Sequence, residues 1–249
     1  MSLLRLDKVS RVFGRLIALR DVELNMPEGS LYALIGPNGA GKTTLFNLIS
    51  GLFPASSGEI WFDGRQINGV NAADRVALGL VRTFQITEIF PDLSVLENVR
   101  IGAEAQLRCS ARPWPTRGMM RQINDRVEEL LDTTGLTPQA DRTVSELAHG
   151  DQRVVEVAMA LSRRPRLLLL DEPTAGMGSE ETEHMVTLIR NLHVQQNLSI
   201  LFIEHDMDLV FGLADRITVL NYGKVLATGT PRAVAADPAV QAAYLGEGE

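Results

Sequence analysis

Cysteine is all but missing from this chain: Cys109 is the only one in 249 residues. An intramolecular disulfide is therefore impossible, and cysteine-rich metal sites are excluded. Cys109 itself reads as a small apolar residue. A basic excess is missing too. Lys and Arg number 24 against 31 Asp and Glu, a formal net charge of −7. That balance argues against nucleic acid as the main partner, because binding a phosphate backbone needs clustered cations. The chain has no block of like charge, no low-complexity stretch and no internal repeat. Long apolar runs are absent as well. The runs present, Leu167 to Leu170 among them, are far too short to cross a bilayer. The stretch Met1 to Asp7 carries charge early and lacks the apolar core of a signal peptide. The expectation is a cytoplasmic protein that reaches a membrane only through a partner.

Hydrophobic residues make up 45% of the chain, enough for one or two compact domains. The most informative stretch is Gly36-Pro37-Asn38-Gly39-Ala40-Gly41-Lys42-Thr43. It fits the phosphate-loop pattern G-x-x-x-x-G-K-[ST] at every fixed position. Leu31 to Ile35 before it reads as a buried strand, and Thr44, Leu45, Leu48 and Ile49 after it as the start of a helix. Strand, glycine loop and helix in that order make an anion nest. Lys42 is expected to reach the β- and γ-phosphates, and the Thr43 hydroxyl to hold Mg²⁺. A nucleoside triphosphate and Mg²⁺ are thus the expected ligands.

Strands and helices alternate around this loop. Leu4 and Leu6, then Val22, Leu24 and Met26, alternate with polar residues, and Glu59 to Ile67 reads as a hairpin around Gly64. Helical spacing takes over between about Ser94 and Arg163. Ile123, Val127, Leu130, Leu131 and Thr134 share one face, as do Val154, Val157, Ala158 and Leu161. Leu167 to Leu170 and Ser199 to Ile203 read as strands covered on both sides, with an amphipathic helix from Thr182 to Gln195 between them. Arg216 to Leu226 reads as a hairpin turning near Asn221-Tyr222-Gly223. The fold class is α/β: a P-loop NTPase core with a parallel sheet, an N-terminal antiparallel β-subdomain and an inserted α-helical subdomain. Residues 1–85 and 165–249 form the expected core, and 86–164 the helical part.

Asp171-Glu172 ends one buried strand and Glu204-His205-Asp206 ends another. Taken alone, such residues equally well cap turns. Beside a phosphate loop, Asp171 reads as part of the Mg²⁺ shell and Glu172 as the base for an attacking water. His205 is suited to bond a γ-phosphate oxygen. His184 and His193 read as surface residues of the helix from Thr182 to Gln195.

The order of these motifs over essentially the whole chain resembles the nucleotide-binding subunits of ATP-binding-cassette (ABC) transporters. The resemblance rests on Phe13, Gly36 to Thr43, Gln85, Leu147 to Gln152, Leu167 to Glu172, Ala175 to Met177 and His205. It implies that the nucleotide is ATP and that Phe13 stacks on its adenine, although the residue alone could be ordinary core. It implies that Gln85 ligates Mg²⁺ and touches a transmembrane subunit, and that Ala175 to Gly178 cross a dimer interface. The segment Leu147-Ala148-His149-Gly150-Asp151-Gln152 departs from the usual Leu-Ser-Gly-Gly-Gln signature. Ala148 lacks the serine hydroxyl, and losing one hydrogen bond to a charged group costs about 1.5–3 kcal/mol. Gly150 and the helix start keep their backbone donors. The departure puts hydrolysis at the site capped by this subunit in doubt, but not ATP binding. One copy of each motif implies a head-to-tail dimer that sandwiches two ATP molecules.

Val81 to Gln85, Phe90 to Asn98, Ile203 to Met207 and the tail Ala243 to Gly246 are similar to the branched-chain amino acid importer branch. The segment Leu107 to Met120, with Trp114, sits where that branch carries an insertion. This implies transmembrane permease subunits, a second ATP-binding subunit (self or similar) and, indirectly, a periplasmic solute-binding protein. Ile86 to Leu93 are expected to line the groove for a permease helix, with Ile89, Phe90 and Leu93 either anchoring it or packing inward. A soluble, non-transport ABC ATPase and a regulatory ATP-binding subunit with weak hydrolysis remain as alternatives.

Overall fold

The computed structural model describes residues 2–83, 89–107 and 116–245. Gln85, Ile86, Cys109 and Trp114 lie outside them. Two long strands open the chain, β1 (Ser2–Phe13) and β2 (Leu16–Pro27), paired antiparallel with Leu6 opposite Leu24. Leu4, Leu6 and Val9 are buried from one, Val22, Leu24 and Met26 from the other. Alternation with polar residues gives this sheet one wet and one dry face. The hairpin expected at Gly64 is β4 (Ser57–Phe62) and β5 (Arg65–Gln66), which complete the order β2-β1-β4-β5.

The second sheet contains β3 (Leu31–Ile35), β6 (Leu80–Arg82), β7 (Leu167–Asp171), β8 (Ser199–Ile203), β9 (Arg216–Asn221) and β10 (Lys224–Gly229). Its order is β10-β9-β3-β8-β7-β6, parallel except where the β9–β10 hairpin closes one side. Every residue of β3, β7 and β8 is buried. The pleat divides them between two cores. Tyr32, Leu34, Leu167, Leu169, Leu201 and Ile203 face the antiparallel sheet. Ala33, Ile35, Leu168, Leu170, Ile200 and Phe202 face the helices. Burying a Leu or Phe side chain fully contributes about 1.5–3 kcal/mol.

Among the helices, α1 (Lys42–Ser50) and α2 (Ala72–Ala77) precede β6. Three more, α3 (Val95–Leu107), α4 (Arg117–Thr134) and α5 (His149–Leu161), lie between β6 and β7 and pack on one another. Ser94 and Glu97 form a reciprocal capping box that starts α3: Glu97 Oε2 accepts from Ser94 N at 2.8 Å, and Ser94 Oγ accepts from Glu97 N at 3.2 Å. The buried face of α4 is Ile123, Val127, Leu130, Leu131 and Thr134, as the 3.6-residue period requires. Then α6 (Ser179–Gln196) crosses between β7 and β8, starting earlier than the apolar period alone suggests, because Glu181 bonds back to Gly178 N. The remaining helices among the described residues are α7 (Met207–Leu213), before β9, and α8 (Pro231–Ala235) and α9 (Pro238–Leu245), after β10. His193 is not the plain surface residue its helical position suggests. Its side chain is only 18% exposed, and Nδ1 lies 3.1 Å from the Leu198 carbonyl, where α6 turns into β8.

Candidate nucleotide site

Strand register decides where the site forms. Leu34, Ile203 and Asp171 lie in one row across β3, β8 and β7. The residues that follow each strand therefore leave the same edge: the glycine loop after β3, Glu204-His205 after β8 and Glu172 after β7. An open parallel sheet places ligands at this carboxyl edge.

The loop from Gly36 to Gly41 depends on glycine where neighbouring backbone comes close. Gly36 has φ 149°, and a Cβ there would lie 2.1 Å from the Leu220 carbonyl. Gly41, at the start of α1, has φ 104°, with Leu19 Cδ2 2.7 Å from a would-be Cβ. Ala40 O accepts from Gly223 N at 3.0 Å, so the β9–β10 turn braces the loop from behind. The first turn of α1 has no acidic residue and no side-chain cap. A helix start of this kind, with its positive dipole end, suits an anion. Lys42 is buried, and Nζ donates to the Gly36 and Pro37 carbonyls, so the cation folds over the loop. Thr43 is exposed and Thr44 half-buried at the same helix start.

Asp171 is wholly buried. Its Oδ2 accepts from Arg82 Nη2 at 2.7 Å, while Oδ1 is buried with no hydrogen-bond partner. Arg82 in turn donates to Asn47 Oδ1 at 2.6 Å, tying β6 to α1. Glu172 has a left-handed backbone, φ 49°, and its N–H donates to the Ile203 carbonyl at 3.0 Å. That turn sends its side chain to His205, whose Nε2 lies 2.8 Å from Glu172 Oε1. A carboxylate only accepts, so Nε2 carries the proton in this arrangement. Glu204 is buried and braces the edge: Oε1 accepts from Thr174 N and Oγ1 at 3.0 and 2.7 Å, and Oε2 accepts from His205 N at 3.2 Å. Asp206 caps α7 through Asp208 N and Leu209 N.

The structure thus gathers the glycine loop, Asp171, Glu172 and His205 at one sheet edge. It does not join residues 148–150 to them. Ala148 stands at the N-cap of α5 with no side-chain bond. Gly150 N donates to Glu181 Oε1 at 3.1 Å, and Gly178 N donates to Glu181 Oε2 at 3.1 Å. These two donors, Gly178 first, hold the Glu181 carboxyl below the usual carboxylate range. Among the described residues, no hydrogen bond links 148–150 to 36–44. Phe13, at the end of β1, is 38% exposed and so is not core. Arg82, Glu204 and Glu181 were not singled out as site residues from the sequence. An arginine directly after the apolar pair Leu80-Val81, at the end of β6, is the one signal that points to the first.

A groove of about 910 Å³ opens between α2 and β6 on one side and α3 and α5 on the other, lined in part by Val76, Ile89, Phe90, Met159 and Glu156. Ile89 also packs against the helical core, Phe90 is 46% exposed, and Leu93 is not part of the lining. Burial raises the carboxyl pKa of Glu156, opposed by its bond from Arg153.

A glycine loop between a buried strand and a helix, with an acid and a histidine at the ends of neighbouring strands, defines a P-loop nucleotide-binding ATPase of the ABC cassette type. A family model described as ABC transporter matches residues 19–175, and one described as Branched-chain amino acid ATP-binding cassette transporter matches residues 224–249. The chain is 39% identical over 250 residues to the high-affinity branched-chain amino acid transport ATP-binding protein LivG of Salmonella typhimurium, covering 98% of each. It is 38% identical to BraF of Pseudomonas aeruginosa, a protein of the same description, again over 98% of each. The solved structure of the ADP conformation of MJ1267, an ATP-binding cassette of an ABC transporter, superimposes with a TM-score of 0.86 at 29% identity, covering 99% of both chains. A dimeric cassette, MJ0796 with ADP and Pi, gives 0.76 at 26% identity over 92% of this chain and 99% of that one. The chain belongs to the ABC transporter family.

Proposed function

We propose that this chain is the ATP-hydrolysing subunit of an importer for branched-chain amino acids or related small polar solutes. The observation that carries the reading is the meeting of the Lys42 loop, Asp171 and the Glu172–His205 pair at one edge of the sheet. The LivG and BraF likenesses supply the cargo class.

In this reading the amides of Gly36 to Thr44 and the Lys42 ammonium bind the triphosphate, and Phe13 stacks on adenine. Lys42 leaves the loop carbonyls for the phosphates. Glu172 accepts a proton from a water as its oxygen bonds to the γ-phosphorus and the bond to the ADP oxygen breaks. His205 keeps the Glu172 side chain in place through Nε2 and bonds the γ-phosphate. Mg²⁺ fits the donor set of Thr43, Gln85 and Asp171, since the partnerless, buried Asp171 Oδ1 is the oxygen a hydrated hard cation would satisfy. Bound there, the ion would neutralise charge on the phosphate oxygens.

The remaining assignments belong to the same proposal. Residues 1–85 and 165–249 act as the nucleotide-binding core and 86–164 as the signature-bearing helical part. Ala148, His149 and Gly150 cap the nucleotide of a second ATP-binding subunit. Ile89 and Phe90, in the groove, receive a helix of a transmembrane permease subunit, which also serves a periplasmic binding protein. No helix among the described residues is long and apolar enough to cross a membrane. Attachment to the cytoplasmic face of the inner membrane would therefore run through the permease.

Glu172→Gln tests the chemistry. It should keep ATP binding, lower turnover by about 10²–10⁴ and trap an ATP-bound dimer visible by size exclusion. Turnover at the wild-type rate would remove Glu172 from its role.

A further inference from the structure

The end of β1 carries more than one aromatic ring. Phe13 is 38% exposed and Phe53, just after α1, is 40% exposed. Their rings meet edge to face at 85°, with centroids 5.9 Å apart. The Arg11 guanidinium lies 4.4 Å from the Phe13 centroid and 5.8 Å from that of Phe53. Its Nη1 donates to the Pro54 carbonyl at 2.8 Å, while Nε is buried with no hydrogen-bond partner, as expected of a group pressed against rings.

We propose that Arg11 and Phe53 are positioning residues for the adenine base, holding Phe13 so that one ring face is covered and the other is free to stack. This rests on the reading of Phe13 as the base platform. The physical case has three parts. A phenylalanine at a strand end would otherwise turn among its rotamers, and binding would have to immobilise it. Arg11 on one face and Phe53 on the edge do so beforehand. Second, a cation held against a ring is attracted to its negative face. It draws ring density toward itself and leaves the opposite face a better surface for an electron-rich purine. Third, the frame is tied to the phosphate cradle. Ser56 Oγ accepts from Val12 N at 3.0 Å, Ser56 N donates to Ser10 O at 2.8 Å, and Arg11 reaches Pro54. Residues 53–56 follow α1, whose other end is the phosphate loop. One helix of nine residues thus fixes the separation between base platform and phosphates.

Arg11 and Phe53 therefore act on the base part of binding and not on the phosphate part. Calorimetry on the full chain would compare a non-hydrolysable ATP analogue with inorganic tripolyphosphate. Arg11→Gln and Phe53→Leu should each weaken the analogue roughly 3–10-fold, and Phe13→Leu roughly 10-fold or more. Tripolyphosphate affinity should stay the same in all three. In turnover, KM for ATP should rise with kcat unchanged. Arg11→Lys, which keeps the cation but not the fork, should retain part of the affinity.

If Phe13→Leu weakens the analogue and neither Arg11→Gln nor Phe53→Leu does, the inference fails and the base platform stands. Equal losses of analogue and tripolyphosphate would also overturn it, since the residues would then only support the fold. An unchanged Phe13→Leu would overturn the platform and the inference together. Should Phe53→Leu melt at assay temperature, Arg11→Gln decides, because its side chain lies over the rings rather than within the core.

Discussion

Truncating Arg82 to alanine should be among the most damaging single changes in this chain. Its side chain is 5% exposed, and the Asp171 side chain it neutralises is 0% exposed. Removing one partner of such a pair leaves a buried carboxylate without compensation, a loss of about 3–5 kcal/mol. Asn47 Oδ1 would lose its 2.6 Å donor as well, and Phe46 the guanidinium 5.6 Å from its ring centre. Set against a typical domain stability of about 5–15 kcal/mol, that is a large fraction. Urea unfolding followed by circular dichroism would read it as a lower midpoint at unchanged slope. The decisive companion is the double variant Arg82→Met with Asp171→Leu. Replacing a buried ion pair by apolar groups is often neutral, so most of the lost stability should return. The double variant would nevertheless hydrolyse no ATP if Asp171 serves the nucleotide. An Arg82→Ala unfolding free energy within about 1 kcal/mol of wild type would refute the reasoning. So would a double variant no more stable than the single one.

Arg75 offers a second test. It is 2% exposed and donates to the carbonyls of Val70, Leu48, Ile49 and Ile67, which closes the C-terminal end of α1. Burial lowers its pKa to about 10, which still leaves it charged at neutral pH. Arg75→Ala should lose roughly 3–5 kcal/mol by urea unfolding, with Arg75→Lys recovering little, since one ammonium cannot serve four carbonyls. Glu181 gives a pH test. Its folded pKa is lowered, so its contribution is present above the ordinary carboxylate value and lost as pH falls through the folded one. Glu181→Gln should melt below wild type at pH 7 and converge with it in acid; a gap that does not change with pH would contradict the assignment.

Local pattern made much of the fold legible. Phosphate-loop spacing, two-sided apolar strands and the 3.6-residue face of α4 each follow from interactions within a few residues. Together with the family resemblance, they point to one sheet edge for Lys42, Asp171, Glu172 and His205. What stayed hidden joins distant parts of the chain. Arg82 and Asp171 are 89 residues apart, and Arg11 and Pro54 are 43 apart. No spacing rule links such residues, because tertiary packing alone brings them together. His193 departs from its expected surface position for the same reason: its partner is a carbonyl past the end of its own helix. Leu93 shared the apolar character of Ile89 and Phe90, but the turn around Asn98 directs it elsewhere. Buried Asn98 takes up Phe90 N at 2.7 Å and donates to Phe90 O and Ser94 O at 3.0 and 2.9 Å, and that wiring is invisible in composition.

The left-handed turn at Glu172 has a consequence for any attempt to harden this protein. A side chain in that conformation is strained by on the order of 1–3 kcal/mol, and glycine would relieve it. Selection for heat tolerance alone would therefore drift toward glycine at this position and, on the proposed role of Glu172, deliver a sturdier but inert chain. If Glu172 serves as the proposed base, the strained glutamate trades durability for turnover.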